Sequence, residues 1–254
     1  MILLIDIGNT HTHLGLGDAN GVRRTRDIAT DQIRSSGNTG LLRSFIGRSP
    51  IEGAVMASVV PDATPVLQAG LVALLGQPAL QLTPKTLRGV GLDYPRPASI
   101  GQDRLANAIA AHHHFGAPSV VVDFGTAVTF DVISPGGAYI GGIIAPGLAA
   151  MTDYLHEKTA LLPRIRIRNP RSVIGRSTRE AMLSGAVHGY RGLVGELIRQ
   201  LKGELRVRRL PVVATGGYAT LIARGLPAIT AVQPHLTLEG LRILWSLHHT
   251  RPGP

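Results

Sequence analysis

The 254-residue sequence contains no cysteine. That absence excludes disulfides, thiolate metal sites and a thiol nucleophile. Aromatic residues are scarce, at 4%, which argues against a surface on which bases stack. Lysine is nearly missing: Lys85, Lys158 and Lys202 stand against a large arginine complement, and the net charge is +10. The basic residues are scattered. Their densest runs are Arg164-Ile165-Arg166-Ile167-Arg168 and Arg206-Val207-Arg208-Arg209. The first alternates with apolar residues and reads as a strand with one face in solvent. Charge dispersed in this way suits a small anionic ligand better than a nucleic acid. No apolar run approaches the roughly 20 residues of a membrane span. The opening run stops at Asp6 with no basic flank, too short for a secretory core, so the chain is expected in the cytoplasm. A hydrophobic fraction of 44% is that of an ordinary globular protein, and the length fits one large core or two small lobes.

What is present is concentrated in Ile2 to Gly17. The run Ile2-Leu3-Leu4-Ile5 ends in Asp6, followed by Gly8-Asn9-Thr10 and a second run alternating through Thr12, Leu14 and Leu16. This is the pattern of a buried strand, a tight turn and a returning strand. Gly8 lets backbone approach a ligand without an intervening side chain. Asn9 and Thr10 add side-chain hydrogen-bonding groups. Asp6, at a strand end, is suited to hold a divalent cation, usually through water. One Asp-x-Gly is weak evidence, since a hairpin with turn-favouring residues has the same letters.

The plan occurs twice. Ser119-Val120-Val121-Val122-Asp123-Phe124-Gly125-Thr126 repeats apolar run, Asp, one residue, Gly and a hydroxyl residue, and an alternating run Val128 to Val132 follows. Duplication implies two similar α/β lobes, 1–116 and 117–254, each a mixed sheet with packed helices. Two such turns facing one cleft are the expected arrangement for clamping a nucleotide from both sides.

The chain now resembles a known family. DIGNT at Asp6 to Thr10, GQDR at Gly101 to Arg104 and DFGTAVTFD at Asp123 to Asp131 resemble the type III pantothenate kinases, of the actin, sugar kinase and heat-shock ATPase superfamily. Tyr94-Pro95, GGIIAPG at Gly141 to Gly147, Thr178 with Ser184-Gly185, TGG at Thr215 to Gly217 and LTLEGL at Leu236 to Leu241 match in order along the whole length. The resemblance implies two ribonuclease H-like (actin-like ATPase) lobes and ATP-dependent phosphorylation of pantothenate, the first step of coenzyme A biosynthesis. It implies that Asp103 is the base, and that Tyr94, Gly101, Gln102, Asp103, Arg104 and Thr178 meet pantothenate, Thr178 from a partner subunit of a homodimer. ATP and its phosphates fall to Asp6, Gly8, Asn9, Thr10, His11, Thr12, His13, Gly125 and Thr126. Magnesium falls to Asp6, and a monovalent cation, potassium or ammonium, to Asp123. A carboxylate beside phosphate oxygens is repelled unless a cation lies between them, which is an independent reason to expect that ion. Two positions depart from the family pattern. His13 stands where many relatives have lysine, and Pro95-Arg96-Pro97 replaces the usual Asn-Pro after the tyrosine. The alternative reading is a nucleotide-binding transcription accessory factor of the same fold without kinase turnover; the presence of both Asp103 and Arg104 counts against it.

The remaining expectations concern elements. A strand is expected over Gly21 to Ile28, one helix from Thr30-Asp31 to Phe45 despite Gly37, a strand over Gly53 to Ser58, a helix from Val60-Pro61-Asp62 to Leu75 and a short strand over Ala79 to Leu82. Leu87 to Ile100 reads as a loop over the cleft. A helix follows from Leu105 to His114, with Asp103 as its natural N-terminal carboxylate. His112-His113-His114 cannot readily converge on one metal, because consecutive helical positions point apart. Ser177-Thr178-Arg179-Glu180 is a capping-box start for a helix to Lys202. Its Ala181, Gly185 and Gly189 fit either a symmetric subunit contact or internal packing. Leu236 to His248 is the last helix, and Arg251 to Pro254 a disordered tail.

Overall fold

The computed structural model describes residues 1–34 and 38–250. In chain order the elements are β1 (Ile2–Ile7), β2 (His11–Asp18), β3 (Gly21–Ala29), α1 (Asp31–Arg34), α2 (Asn38–Ile46), β4 (Gly53–Ser58), α3 (Ala63–Leu75), β5 (Leu80–Gln81), β6 (Gly91–Leu92) and α4 (Gln102–Phe115). Then come β7 (Ser119–Phe124), β8 (Ala127–Ile133), β9 (Ala138–Pro146), α5 (Leu148–Lys158), α6 (Thr178–Glu204), β10 (Val212–Thr215), α7 (Ala219–Ala223), β11 (Ala231–Val232) and α8 (Leu236–His249). The described residues form two compact units: those within 1–116 with 137–140 and 235–250, and residues 117–136 with 141–234.

In the first unit the strand order is β3-β2-β1-β4-β5. β1 runs antiparallel to β2 and parallel to β4. Alternation decides the two faces. Leu3, Ile5 and Ile7 join Leu14, Leu16, Ile33, Phe45, Met56 and Leu67 in one buried cluster beneath α1, α2 and α3. The opposite face carries Leu4, Asp6, Gly15, Gly17 and Gly53, and α4 and α8 pack there. Glycines let α8 come close: Trp245 occupies the space a Cβ would need at Gly53, and Leu238 and Arg242 stand only 3.1 and 3.3 Å from where Cβ atoms would lie at Gly15 and Gly17.

In the second unit the order β11-β10-β7-β8-β9 is the same plan. β7 is antiparallel to β8 and parallel to β10. Helices fall at matching places in the two halves of the chain: α1 and α2 against α5 and α6, α3 against α7, α4 against α8. The buried cluster here contains Val120, Val122, Phe130, Val187, Tyr190, Val194 and Val212.

The helix expected over 30–45 is met on both sides of Gly37, as α1 and α2, and Gly37 itself lies outside the described residues. Two expectations are corrected. Arg164 to Arg168 is not a strand. Ile165 and Ile167 pack on the second unit's core while the arginines stay exposed, so the alternation is real, but the segment joins no ladder. The last helix, assigned from sequence to the second lobe, packs in the first unit. Its apolar periodicity specifies a buried face without specifying which sheet that face meets. The expected tail at 251–254 lies outside the described residues.

Candidate active site

In the first unit the site is built on the carboxyl ends of the parallel neighbours β1 and β4. Asp6 is only 7% exposed and sits opposite His13 on β2 and Ala57 on β4. The turn beyond it is pinned from below. Gly8 N–H donates to His11 O at 3.0 Å, and a Cβ on Gly8 would stand 2.9 Å from that oxygen. Thr30 does most of the holding. Its hydroxyl donates to Gly8 O at 2.6 Å and its N–H donates to Thr10 O at 3.1 Å. Asn9, Thr10 and His11 are left exposed at the tip.

Two residues of this stretch are turned elsewhere. Thr12 is fully buried, and its hydroxyl lies 3.1 Å from that of Thr30. Because the Thr30 proton goes to Gly8 O, Thr12 is the donor. Its side chain supports the turn and is closed to a ligand, which corrects the expectation that it meets ATP. His13 Nδ1 lies 2.7 Å from Asp27 Oδ1 across β2 and β3. That ring is engaged with a carboxylate on its own sheet.

Asp103 is at the start of α4. Gly101 precedes the helix, and a Cβ there would collide with Asp103 Oδ1, so any other residue would displace the carboxylate from where it lies. Asp103 Oδ1 accepts the N–H of Arg104 at 2.8 Å. Burial pushes the Asp103 carboxyl above the ordinary carboxylate range, against the pull of the Arg104 N–H and its positive charge. Gln102 fixes the helix to the sheet: its Oε1 accepts the N–H of Ser58 at 2.9 Å. Ser58 is the register partner of Ile7, the residue after Asp6. Val59 N–H in turn donates to Ile7 O at 3.0 Å. Asp103 is therefore tied, through Gln102 and Ser58, to the strand beside the one that carries Asp6.

Arg104 and Tyr94 are joined by a residue that sequence reading missed. The Arg104 guanidinium carbon lies 5.8 Å from the ring centroid of Tyr139, and the Tyr94 and Tyr139 rings are 6.2 Å apart. Tyr139 is fully buried. It stands opposite Leu92 where β6 pairs with the start of β9, and Asp93 N–H donates to its carbonyl at 3.0 Å. Its only sequence signal was a place in an alternating strand. Of the three consecutive histidines, His113 and His114 meet edge to face with ring centroids 4.9 Å apart. His112 Nδ1 donates to Gly89 O at 2.7 Å, and His114 Nε2 lies 3.0 Å from Glu239 Oε1.

In the second unit Asp123 occupies the same strand position as Asp6, opposite Thr129 on β8 and Thr215 on β10. Gly125 and Thr126 are exposed beyond it. Two glycines from distant segments close on this turn. A Cβ at Gly147, just before α5, would strike the carbonyl oxygens of Thr126 and Gly125. Gly216, at φ +86° after β10, has room for none: a Cβ would stand 2.5 Å from Asp123 Oδ1. Thr178 is positioned separately, as the exposed first residue of α6. Ser177 is the cap, its Oγ accepting Glu180 N–H at 3.3 Å. The Glu180 carboxylate reaches back to the N–H of Arg176, at 2.8 Å, one residue beyond the capping-box partner.

Among the described residues no cluster of three or more His, Asp or Glu side chains is placed to hold a metal.

Two sheets of one order, each bearing an Asp-x-Gly turn at the end of its first strand, are the frame of the actin-like phosphotransferases. Solved structures share that fold along nearly the whole chain. A Campylobacter jejuni protein assigned to the Baf family of transcriptional activators has a TM-score of 0.63 at 19% identity, covering 97% of this chain and 98% of its own. An inorganic polyphosphate/ATP-glucomannokinase from Arthrobacter has a TM-score of 0.50 at 16% identity, covering 98% and 99%. Sequence narrows the class. The family model described as type III pantothenate kinase matches residues 2–200. Relatives named type III pantothenate kinase are 50% identical in Akkermansia muciniphila, over 97% of this chain and 98% of theirs, and 44% identical in Acidiphilium cryptum, over 96% and 94%. The chain belongs to the type III pantothenate kinase family.

Proposed function

We propose that this chain transfers the γ-phosphoryl group of ATP to the primary hydroxyl of pantothenate, giving 4'-phosphopantothenate. The observation that carries the reading is Asp103. It is a carboxylate raised above its usual range by burial, held at a helix start that is bonded to the strand beside Asp6. A primary alcohol has a very high pKa and needs a nearby base as phosphoryl transfer proceeds. In this reading Asp103 accepts the hydroxyl proton, while Arg104, Tyr94, Gly101 and Gln102 form the pantothenate side. Asn9, Thr10 and His11, the backbone of Gly8, and Gly125 with Thr126 contact the phosphates. Asp6 would hold magnesium through water and Asp123 a potassium or ammonium ion; when bound, these cations offset phosphate charge. The chain's own contribution is positioning and electrostatics rather than covalent chemistry.

We further propose a homodimer that presents Thr178 to the partner's pantothenate. The sequence left the small residues of α6 divided between internal packing and a subunit contact. Gly185, Gly189 and Gly192 are exposed, and a Cβ on any of them would meet nothing within 4 Å beyond its own helix backbone. Large apolar side chains of the same unit are also exposed, among them Ile144 at 64% and Ile174 at 79%. Among the described residues no helix is long and apolar enough to cross a membrane. We place the activity in the cytoplasm, where ATP is supplied.

The test is a coupled ADP-release assay with purified protein, pantothenate and magnesium-ATP, with and without potassium. Pantothenate-dependent ADP release that falls when potassium is omitted is expected. ADP release indifferent to pantothenate, or salt-dependent DNA binding with no turnover, would reject the kinase reading.

A further inference from the structure

Three segments far apart in sequence meet around one ring. Tyr94 comes from the connection after β6, Arg104 from the first turn of α4, and Tyr139 from the start of β9. Tyr139 is fully buried, with the Arg104 guanidinium 5.8 Å from its centroid and the Tyr94 ring 6.2 Å away, tilted by 60°. A guanidinium within about 6 Å of an aromatic face is attracted by the ring quadrupole, and more strongly where water is excluded. Tilted ring pairs at this separation are attractive as well.

The ring itself is firmly held. Gly91 pairs with Ala138 and Leu92 with Tyr139. Gly91 N–H donates to Gly137 O at 2.9 Å, and Asp93 N–H to Tyr139 O at 3.0 Å. On the other side His112 fastens the same strip, donating from Nδ1 to Gly89 O at 2.7 Å while its Nε2 leaves only 3.1 Å for a Cβ at Gly137. A long arginine carries large rotamer entropy, and a platform that fixes its plane before substrate arrives removes much of that cost from binding.

We infer that Tyr139 is a positioning residue for the acceptor substrate: it sets the plane of Arg104 and the place of Tyr94, and so tunes affinity for pantothenate and not for ATP. This rests on the reading that Arg104 and Tyr94 face pantothenate. Tyr139 acts through them and touches no substrate itself.

The test is a double-mutant cycle on the full-length enzyme, with KM measured for both substrates. Tyr139→Leu removes the ring and is expected to raise the pantothenate KM about fivefold to thirtyfold. The ATP KM should stay within about twofold and kcat should change less than the pantothenate KM. Tyr139→Phe keeps the ring and should restore the pantothenate KM to near the native value. In an Arg104→Ala background, Tyr139→Leu should add little, because the group it orients is gone. An unchanged pantothenate KM, an equal rise in both KM values, or an effect of undiminished size in the Arg104→Ala background would overturn the inference. If Tyr139→Leu does not fold, Tyr139→His decides by the same cycle, since the smaller ring keeps an aromatic group there but weakens the platform. Arg104→Ala alone reports on the underlying reading: were it to leave the pantothenate KM untouched, the assignment of the substrate side would fail, whatever Tyr139 does.

Discussion

The side-chain carbonyl of Gln102 accepts the backbone N–H of Ser58 at 2.9 Å. By that bond the helix that begins with Asp103 is seated on the strand beside Asp6. Gln102→Ala should leave the buried Ser58 N–H without its acceptor, at a cost of about 1–3 kcal/mol, read as a lower melting temperature. The catalytic effect should exceed the stability effect. Displacing a base by about 1 Å can cost roughly 10²-fold, so kcat should fall by one to two orders of magnitude while the ATP KM moves little. Native kcat in Gln102→Ala would show that the helix start needs no such tie.

Asp103→Asn separates function from stability. Loss of the base should reduce kcat by roughly 10²–10⁴-fold. The fold should become more stable, because burial raises the Asp103 carboxyl and its charge therefore opposes folding. For a carboxyl raised on folding, the ionised native form is penalised fully above the folded pKa. The penalty is gone below the unfolded value of about 3.9, where both states are protonated. The stability gain of Asp103→Asn should accordingly be largest at neutral pH and vanish near pH 4 in denaturant titrations. The acid limb of kcat should lie above the range of an ordinary aspartate.

Thr10 and Thr12 look equivalent as letters and differ in place. Thr12→Val removes a buried donor to Thr30 and should cost about 1 kcal/mol of stability, with a small effect on the ATP KM. Thr10→Val alters an exposed tip and should raise the ATP KM by more than Thr12→Val does. Both quantities measured on both variants decide the matter, and the opposite pattern would return Thr12 to the phosphate site.

The contrast between these threonines indicates what the sequence could convey. Both Asp-x-Gly turns were legible because an apolar run that stops at an aspartate and resumes in alternation has few structural solutions. The repeat made two similar lobes, each a mixed sheet with packed helices, legible as well. Contacts that depend on a third segment were not legible. Gln102 looked like a ligand residue, and its carbonyl is bound to Ser58; Tyr139 looked like one more buried strand position, and it meets Arg104. Arg164 to Arg168 alternates like a strand, yet β pairing needs a neighbour, and no local pattern reports whether one is there. The same holds for α8, whose periodicity could not choose between two sheets.

Gly216→Ala probes the second turn. At φ +86° an alanine is strained by about 1–3 kcal/mol, and its Cβ would stand 2.5 Å from Asp123 Oδ1. The carboxylate must move, so the potassium concentration giving half-maximal rate should rise at least severalfold. Gly217→Ala, where a Cβ meets nothing within 4 Å, is the control and should behave as the native chain. Equal potassium dependence in the two variants would detach Asp123 from the cation.

Gly189→Arg tests the proposed dimer. The position is exposed on α6, and a Cβ there meets nothing within 4 Å beyond its own helix backbone, so the monomer should tolerate arginine with little loss of stability. In a close symmetric helix contact the same arginine would place bulk and like charge against its own copy. The expected outcome is a shift from dimer to monomer in sedimentation at micromolar concentration, with an unchanged far-UV circular dichroism spectrum. If Thr178 acts on the pantothenate of the partner subunit, the monomer should also lose pantothenate affinity and keep ATP affinity. Thr178→Ala should reproduce that KM change while remaining dimeric, because Ser177, not Thr178, caps the helix. A Gly189→Arg protein that sediments as the native one does would place the subunit contact elsewhere; a monomer with native pantothenate KM would leave each site complete within one chain.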